Sequence, residues 1–119
     1  MRTRAVAPAC DGGVTKDAAR AVSLYRHGCE LGQEESCVNA GFMYLDGEGT
    51  AKDEARAFGI FEHACQRGVA RGCTNLGAMF ELGRFVAPDR ARAVELYRHG
   101  CRGGDDLGCN DLDRLGEHR

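Results

Sequence analysis

No apolar run in this 119-residue sequence approaches the length of a membrane span, so it reads as a soluble chain without membrane insertion. Nor is there an excess of one charge: 16 basic residues stand against 18 acidic. Nucleic-acid and anionic-surface binding need clustered basic charge, so neither partner is expected. Serine is scarce. Ser23 is followed by LYR and Ser36 by CVN, so neither opens the Ser-x-x-Lys motif of a serine nucleophile. Phosphate-binding glycine loops, haem-attachment motifs and paired-histidine metal motifs are also missing. No catalytic residue, metal or cofactor is therefore expected. The start, MRTRAVAPAC, has Arg2 and Arg4 but no apolar segment behind them, so it is not expected to act as a signal peptide. The 17 glycines and short apolar runs argue against one large central core.

What the sequence does have is self-similarity. The string YRHGC at Tyr25–Cys29 returns unchanged at Tyr97–Cys101, with FEHAC at Phe61–Cys65 between them. Aligned on these strings, the chain repeats every 36 residues without an insertion. The expected organisation is an irregular segment over 1–13, repeats over 14–49 and 50–85, and a third repeat with a C-terminal cap over 86–119. Such regularity implies that each unit packs on its neighbours in the same way, as in a solenoid.

Each unit carries two helical stripes. Ala57, Ile60, Phe61, Ala64 and Cys65 fall on one face of a helix, as do Ala21, Leu24, Tyr25, Gly28, Cys29 and Ala93, Leu96, Tyr97, Gly100, Cys101. Asp17, Asp53 and Asp89 stand just ahead as N-caps, and glycines at 32, 68 and 104 end these helices. A shorter stripe follows at Cys37, Ala40, Gly41, Tyr44 and at Cys73, Leu76, Gly77, Phe80. Gly41 and Gly77 lie on its buried side, where a missing side chain lets a neighbouring helix approach. The expected fold is all-α, an α/α solenoid of helical hairpins.

Six of the seven cysteines form pairs with seven intervening residues: Cys29 with Cys37, Cys65 with Cys73, and Cys101 with Cys109. Each pair joins the last turn of one helix to the first turn of the next, which suits a disulfide. The even number, uniform spacing and density favour disulfides in an oxidising compartment. Zinc fits poorly, because its ligand pairs are usually two to four residues apart. Reduced, buried cysteines acting as small apolar residues remain the other reading. Cys10 falls outside the pattern and has no partner in this chain. His27, His63 and His99 recur two positions before a cysteine, near a helix C-terminus, where a partly protonated ring is favourably placed.

Spacing, cap and glycines together resemble the Sel-1-like repeat, a relative of the tetratricopeptide repeat. The cysteine spacing is similar to that of its cysteine-rich branch, the Helicobacter cysteine-rich proteins. The resemblance covers residues 14–119. It implies a right-handed superhelix of helix pairs, one disulfide per pair, in an exported protein, periplasmic or secreted. It also implies an adaptor that binds proteins or peptides, with the alternative of a β-lactam or cell-wall-fragment binder having weak β-lactamase activity. The chain departs from the family at His27, His63 and His99, where a basic residue is usual, and at Phe85, where glycine is usual.

Residues 1–13 fail as a preceding short helix, because Pro8 takes the aromatic position and Met1 the cysteine position. The array is therefore expected to start on a long helix with an uncovered inner side, as in a piece excised from a longer array, a designed truncation, or an end that packs on another chain or on a copy of itself. At the opposite end Asp113 takes the position of Gly41 and Gly77, and Gly116 that of Tyr44 and Phe80, as in a polar cap. If the short helices line the concave side, Asn39, Met43, Asn75, Met79 and Asp111 form a row for a peptide backbone and its side chains. The competing reading has the asparagines bonding the next unit and fixing repeat stacking.

Overall fold

The computed structural model describes residues 7–119, with side chains from Asp17 onward. The calls on Cys10, Met1 and the Pro8 ring therefore lie outside the described residues. Six helices follow one another, with no strand among the described residues: α1 (Ala7–Glu30), α2 (Glu34–Asp46), α3 (Glu54–Gln66), α4 (Ala70–Leu82), α5 (Arg90–Arg102) and α6 (Asp106–Arg114). They divide between two compact units, Met1–Asp53 with α1 and α2, and Glu54–Arg119 with α3 to α6.

Two local expectations need correction. α1 already begins at Ala7, inside the stretch expected to be irregular; proline is tolerated in the first turn of a helix, where its missing N–H has no acceptor. Asp17 is consequently interior to α1 and caps nothing. Asp89 does cap α5, its side chain accepting from the Arg92 amide at 3.0 Å. Gly32, Gly68 and Gly104 take φ of 89°, 85° and 100° and turn the chain out of α1, α3 and α5. The return loops are tied down alike in both units, since Asp53 N–H donates to Tyr44 O at 2.8 Å and Asp89 N–H to Phe80 O at 2.9 Å.

Disulfides join Cys29 to Cys37, Cys65 to Cys73 and Cys101 to Cys109, with Cα atoms 4.5 to 4.6 Å apart. So close an approach needs small residues beside it. The residue before each cysteine is Gly28 or Ser36, Ala64 or Gly72, Gly100 or Gly108. A Cβ on Gly28 would lie 2.9 Å from Ser36 Cβ, one on Gly72 2.7 Å from Ala64 Cβ, and one on Gly108 2.8 Å from the Tyr97 carbonyl. At least one glycine in every pair is thus what lets the hairpin close. Each cross-link stabilises by about 2.5 kcal/mol in the chain-entropy treatment.

In the second unit α4 packs against α3, α5 and α6. Its buried surface is wider than one stripe: Gly72, Cys73, Thr74, Leu76, Gly77 and Met79 are all covered. Gly77 has the role expected of it, because a Cβ there would lie 3.0 Å from the Tyr97 ring. Met79 is 1% exposed and belongs to the core, a correction to its expected place in a binding row. The reason is that a helix covered on three sides has little circumference left for a partner. In the first unit Val22, Val38, Ala40 and Tyr44 are buried, but Leu24 is 64% exposed, against the expectation that it faces the core.

Candidate interaction surface

Of the five residues expected to form a binding row, Asn39 and Met43 are half-buried on α2, Asn75 is half-buried on α4, and Asp111 is half-buried on α6. Asn75 Nδ2 is fully covered and has no hydrogen-bond partner, so it neither bonds a neighbouring unit nor faces an open surface. The Asp111 carboxylate is engaged by Arg114 at 3.3 Å. With Met79 in the core, the row is not an open ladder of amides and methionines.

The second unit has instead an open furrow of about 270 Å³, lined by Cys65, Cys73, Arg92, Glu95, Leu96 and His99. Four of these come from α5 at i, i+3, i+4 and i+7, one helix face. Leu96 is 5% exposed and supplies an apolar floor. Arg92 and Glu95 form an ion pair at 2.9 Å, both half open to solvent, and His99 stands in the last turn of the helix. The Cys65–Cys73 bridge pins the opposite wall.

Arg92 also lies over the Phe80 ring, 5.7 Å from its centroid. Phe80 packs edge-on against Phe58 with centroids 5.7 Å apart, and Phe58 meets Phe85 at 5.4 Å. Phe85 is 56% exposed at φ 69°, the one non-glycine among the described residues in the left-handed region. The equivalent Gly49 has φ 72°, and a Cβ on it would collide with the Ala18 backbone. Phe85 escapes such a collision and spends its side chain on the aromatic cluster.

Charges on the far side of α5 lock the helices together. Arg114 holds the Glu81 carboxylate through two bonds of 2.9 and 2.7 Å, and the Tyr97 hydroxyl donates to Glu81 at 2.7 Å. The Arg114 bonds, more than the phenol, bring Glu81 down to a pKa of about 2. Burial first, and the Glu81 carboxylate second, push the Tyr97 phenol up. On α6 Asp113 is exposed and paired with Arg119 at 2.6 Å.

Ser36 Oγ donates to Gln33 Oε1 at 3.4 Å rather than to a base. Among the described residues no group of three or more His, Cys, Asp and Glu side chains comes together as a metal site, and no helix is long and apolar enough to cross a membrane.

The architecture is a 36-residue helical repeat with one disulfide per hairpin, and the family description of the Sel1 repeat matches residues 9–33, 34–69 and 70–105. The chain belongs to the Sel1 repeat family. The second and third matched units are 36 residues long and start on the short helices α2 and α4, half a unit out of phase with the disulfide-linked hairpins, whereas the first, 9–33, is shorter and lies on α1 and the turn after it.

Among solved structures, Helicobacter pylori cysteine rich protein B is similar, with 27% identity and a TM-score of 0.67 over 76% of this chain and 68% of that one. A Sel1 repeat protein from Oxalobacter formigenes shares the fold at 22% identity and a TM-score of 0.71, over 76% of this chain and 36% of that one. A protective antigen present in uropathogenic Escherichia coli strains, displaying an SLR fold, is 31% identical with a TM-score of 0.70, over 78% of this chain and 20% of that one. The chain thus spans about a third and a fifth of the last two. No curated protein sequence matches it. The solenoid class expected from the sequence is therefore that of this Sel1 repeat protein, and Sel1 repeats generally serve as protein-interaction scaffolds.

The furrow residues escaped sequence reasoning. Their i, i+3, i+4, i+7 spacing is legible, but it describes any exposed helix face. That this face looks onto the cysteine bridge of the preceding hairpin follows only from packing.

Proposed function

We propose that this Sel1 repeat protein is an exported interaction scaffold that holds a peptide segment of a partner protein along the furrow of α5. The carrying observation is the furrow itself: an apolar floor at Leu96 flanked by Arg92, Glu95 and His99, on a frame pinned by the Cys65–Cys73 bridge. A cation, an anion and an imidazole one turn apart can bond a peptide's amides and side chains, while Leu96 accepts an apolar group. Three disulfides and the likeness to a Helicobacter cysteine-rich protein support an extracellular or periplasmic setting. The β-lactam alternative has less support, since no hydroxyl nucleophile lines the furrow.

Peptides selected from a random display library on the oxidised protein provide the test. Selected peptides are expected to shift the amide resonances of Arg92, Glu95, Leu96 and His99, and to lose about tenfold in affinity on Glu95→Arg. Equal affinity for the Glu95→Arg protein, or shifts confined to other helices, would sink the furrow reading. Turnover of a chromogenic β-lactam above that of a Glu95→Arg, His99→Ala control would favour the alternative.

A further inference from the structure

Phe85 puts a large side chain where the turn requires none. The return loop of the first unit has Gly49 at φ 72°, and the same position of the second has Phe85 at φ 69°. A bulky residue in the left-handed region costs backbone energy, and such residues gather where a ligand is clamped. Packing within the chain uses less than half of the ring, which is 56% exposed while it leans on Phe58 at 5.4 Å. Phe58 meets Phe80 at 5.7 Å and 68°, so the three rings tilt against one another and leave clefts between their faces. Arg84 Nε donates to Glu54 Oε2 at 2.9 Å, one turn before Phe58, and fixes the same loop to the same helix.

The rings adjoin the furrow through Arg92, which lines it and also lies over Phe80, 5.7 Å from the centroid. Charge at the patch is matched within the chain, by Glu54 on Arg84 and Glu95 on Arg92, so an uncharged apolar segment complements it. Any N–H that faces phenyl rings is left without a strong acceptor, and proline is the residue that has no N–H. We propose that Phe58, Phe80 and Phe85 form a proline-binding subsite continuous with the furrow, with Phe85 as its specificity-determining residue. The inference rests on the peptide-binding reading and deepens it by naming the partner segment: a polyproline II stretch, which is already extended and loses little freedom on docking. At about 3.1 Å per residue such a stretch passes from Arg92 to Phe85 in about five residues.

The probe is acetyl-hexaproline amide, titrated by NMR into the oxidised full chain. Saturable shifts of the Phe58, Phe80 and Phe85 ring resonances are expected. Phe85→Gly and Phe85→Asn both suit a left-handed turn, and each should weaken binding about tenfold. Unchanged amide resonances of α5 and α6 report that the variants are folded. Acetyl-hexaalanine amide, which has N–H groups and no rings, should bind at least about tenfold more weakly than hexaproline. Equal binding of hexaproline to the native protein and both variants, or equal binding of hexaalanine, would overturn the proposal. Display-selected peptides that respond to Glu95→Arg but not to Phe85→Gly would keep the furrow and remove the proline subsite. Hexaproline binding that is lost on Phe85→Gly, with no selected peptide responding to Glu95→Arg, would support the proline subsite and remove the furrow.

Discussion

Helices α1 and α5 carry nearly the same nine residues, yet Leu96 and Tyr97 are buried while Leu24 is open to solvent and Tyr25 half so. The apolar stripe is identical in both. What differs is the neighbour: α5 has α4 against it, with Gly77 making room for the tyrosine ring and Glu81 meeting its hydroxyl. In a repeat protein a stripe therefore specifies a surface that is able to be buried, and the adjacent unit decides whether it is. One string can be core in one repeat and open to solvent in another.

The largest effect expected from this difference is at the two tyrosines. Tyr97→Ala removes a ring that is 1% exposed and should cost about 3–5 kcal/mol, whereas Tyr25→Ala should cost about 1 kcal/mol or less. Urea unfolding of the two variants reads this directly, and similar losses at both sites would mean that α1 is covered in solution as α5 is.

The disulfides should blur the contrast, because all three close loops of the same length. Replacing Cys29 and Cys37 together, or Cys101 and Cys109 together, by serine should each cost about 2.5 kcal/mol if the term lies in the unfolded chain. A much larger loss in the third repeat would assign part of it to the packing of Thr74 in the space left by Gly100 and Gly108.

A smaller asymmetry separates Gly49 from Phe85. Gly49→Ala forces a Cβ into the Ala18 backbone at φ 72° and should destabilise by about 1–2 kcal/mol or more. Phe85→Gly relieves a left-handed backbone but removes the contact with Phe58, and the two should cancel to within about 1 kcal/mol. Thermal midpoints of both variants test this, and a strong loss at Phe85 would show the aromatic cluster to be worth more than its exposure implies.

These comparisons also show what was legible in the sequence. The period, the hairpins, the helix ends at Gly32, Gly68 and Gly104, and the close approach at Gly77 all follow from local chemistry recurring in register. Met79 and Leu24 were misplaced for a common reason. A single helical stripe records one contact face, whereas α4 is enclosed by three helices and α1 is less enclosed than its stripe allows. Asp17 was misplaced because the capping pattern of Asp53 and Asp89 was carried to a helix that starts ten residues earlier, at Ala7. The furrow needed tertiary structure, since its two walls come from different repeats.

The subtlest expected difference is in acid. Glu81 has a folded-state pKa of about 2 against an ordinary 4.5, chiefly through Arg114 and less through Tyr97. A carboxylate whose pKa falls on folding contributes stability that is fully present above its unfolded value. That contribution fades as the pH drops from about 4.5 towards 2. Arg114 is 52% exposed, so solvent screens the pair and the contribution is about 1 kcal/mol rather than the full shift. Glu81→Gln should accordingly flatten the decline in stability between pH 5 and about 2.5, while Tyr97→Phe, which leaves the Arg114 bonds in place, should preserve most of it. Urea midpoints across that pH range decide the matter: if the Glu81→Gln protein loses stability in acid as steeply as the native one, the α4–α6 ion pair is not what sets the acid limit of the second unit, and the tyrosine–glutamate contact has no measurable part in separating α5 from α1.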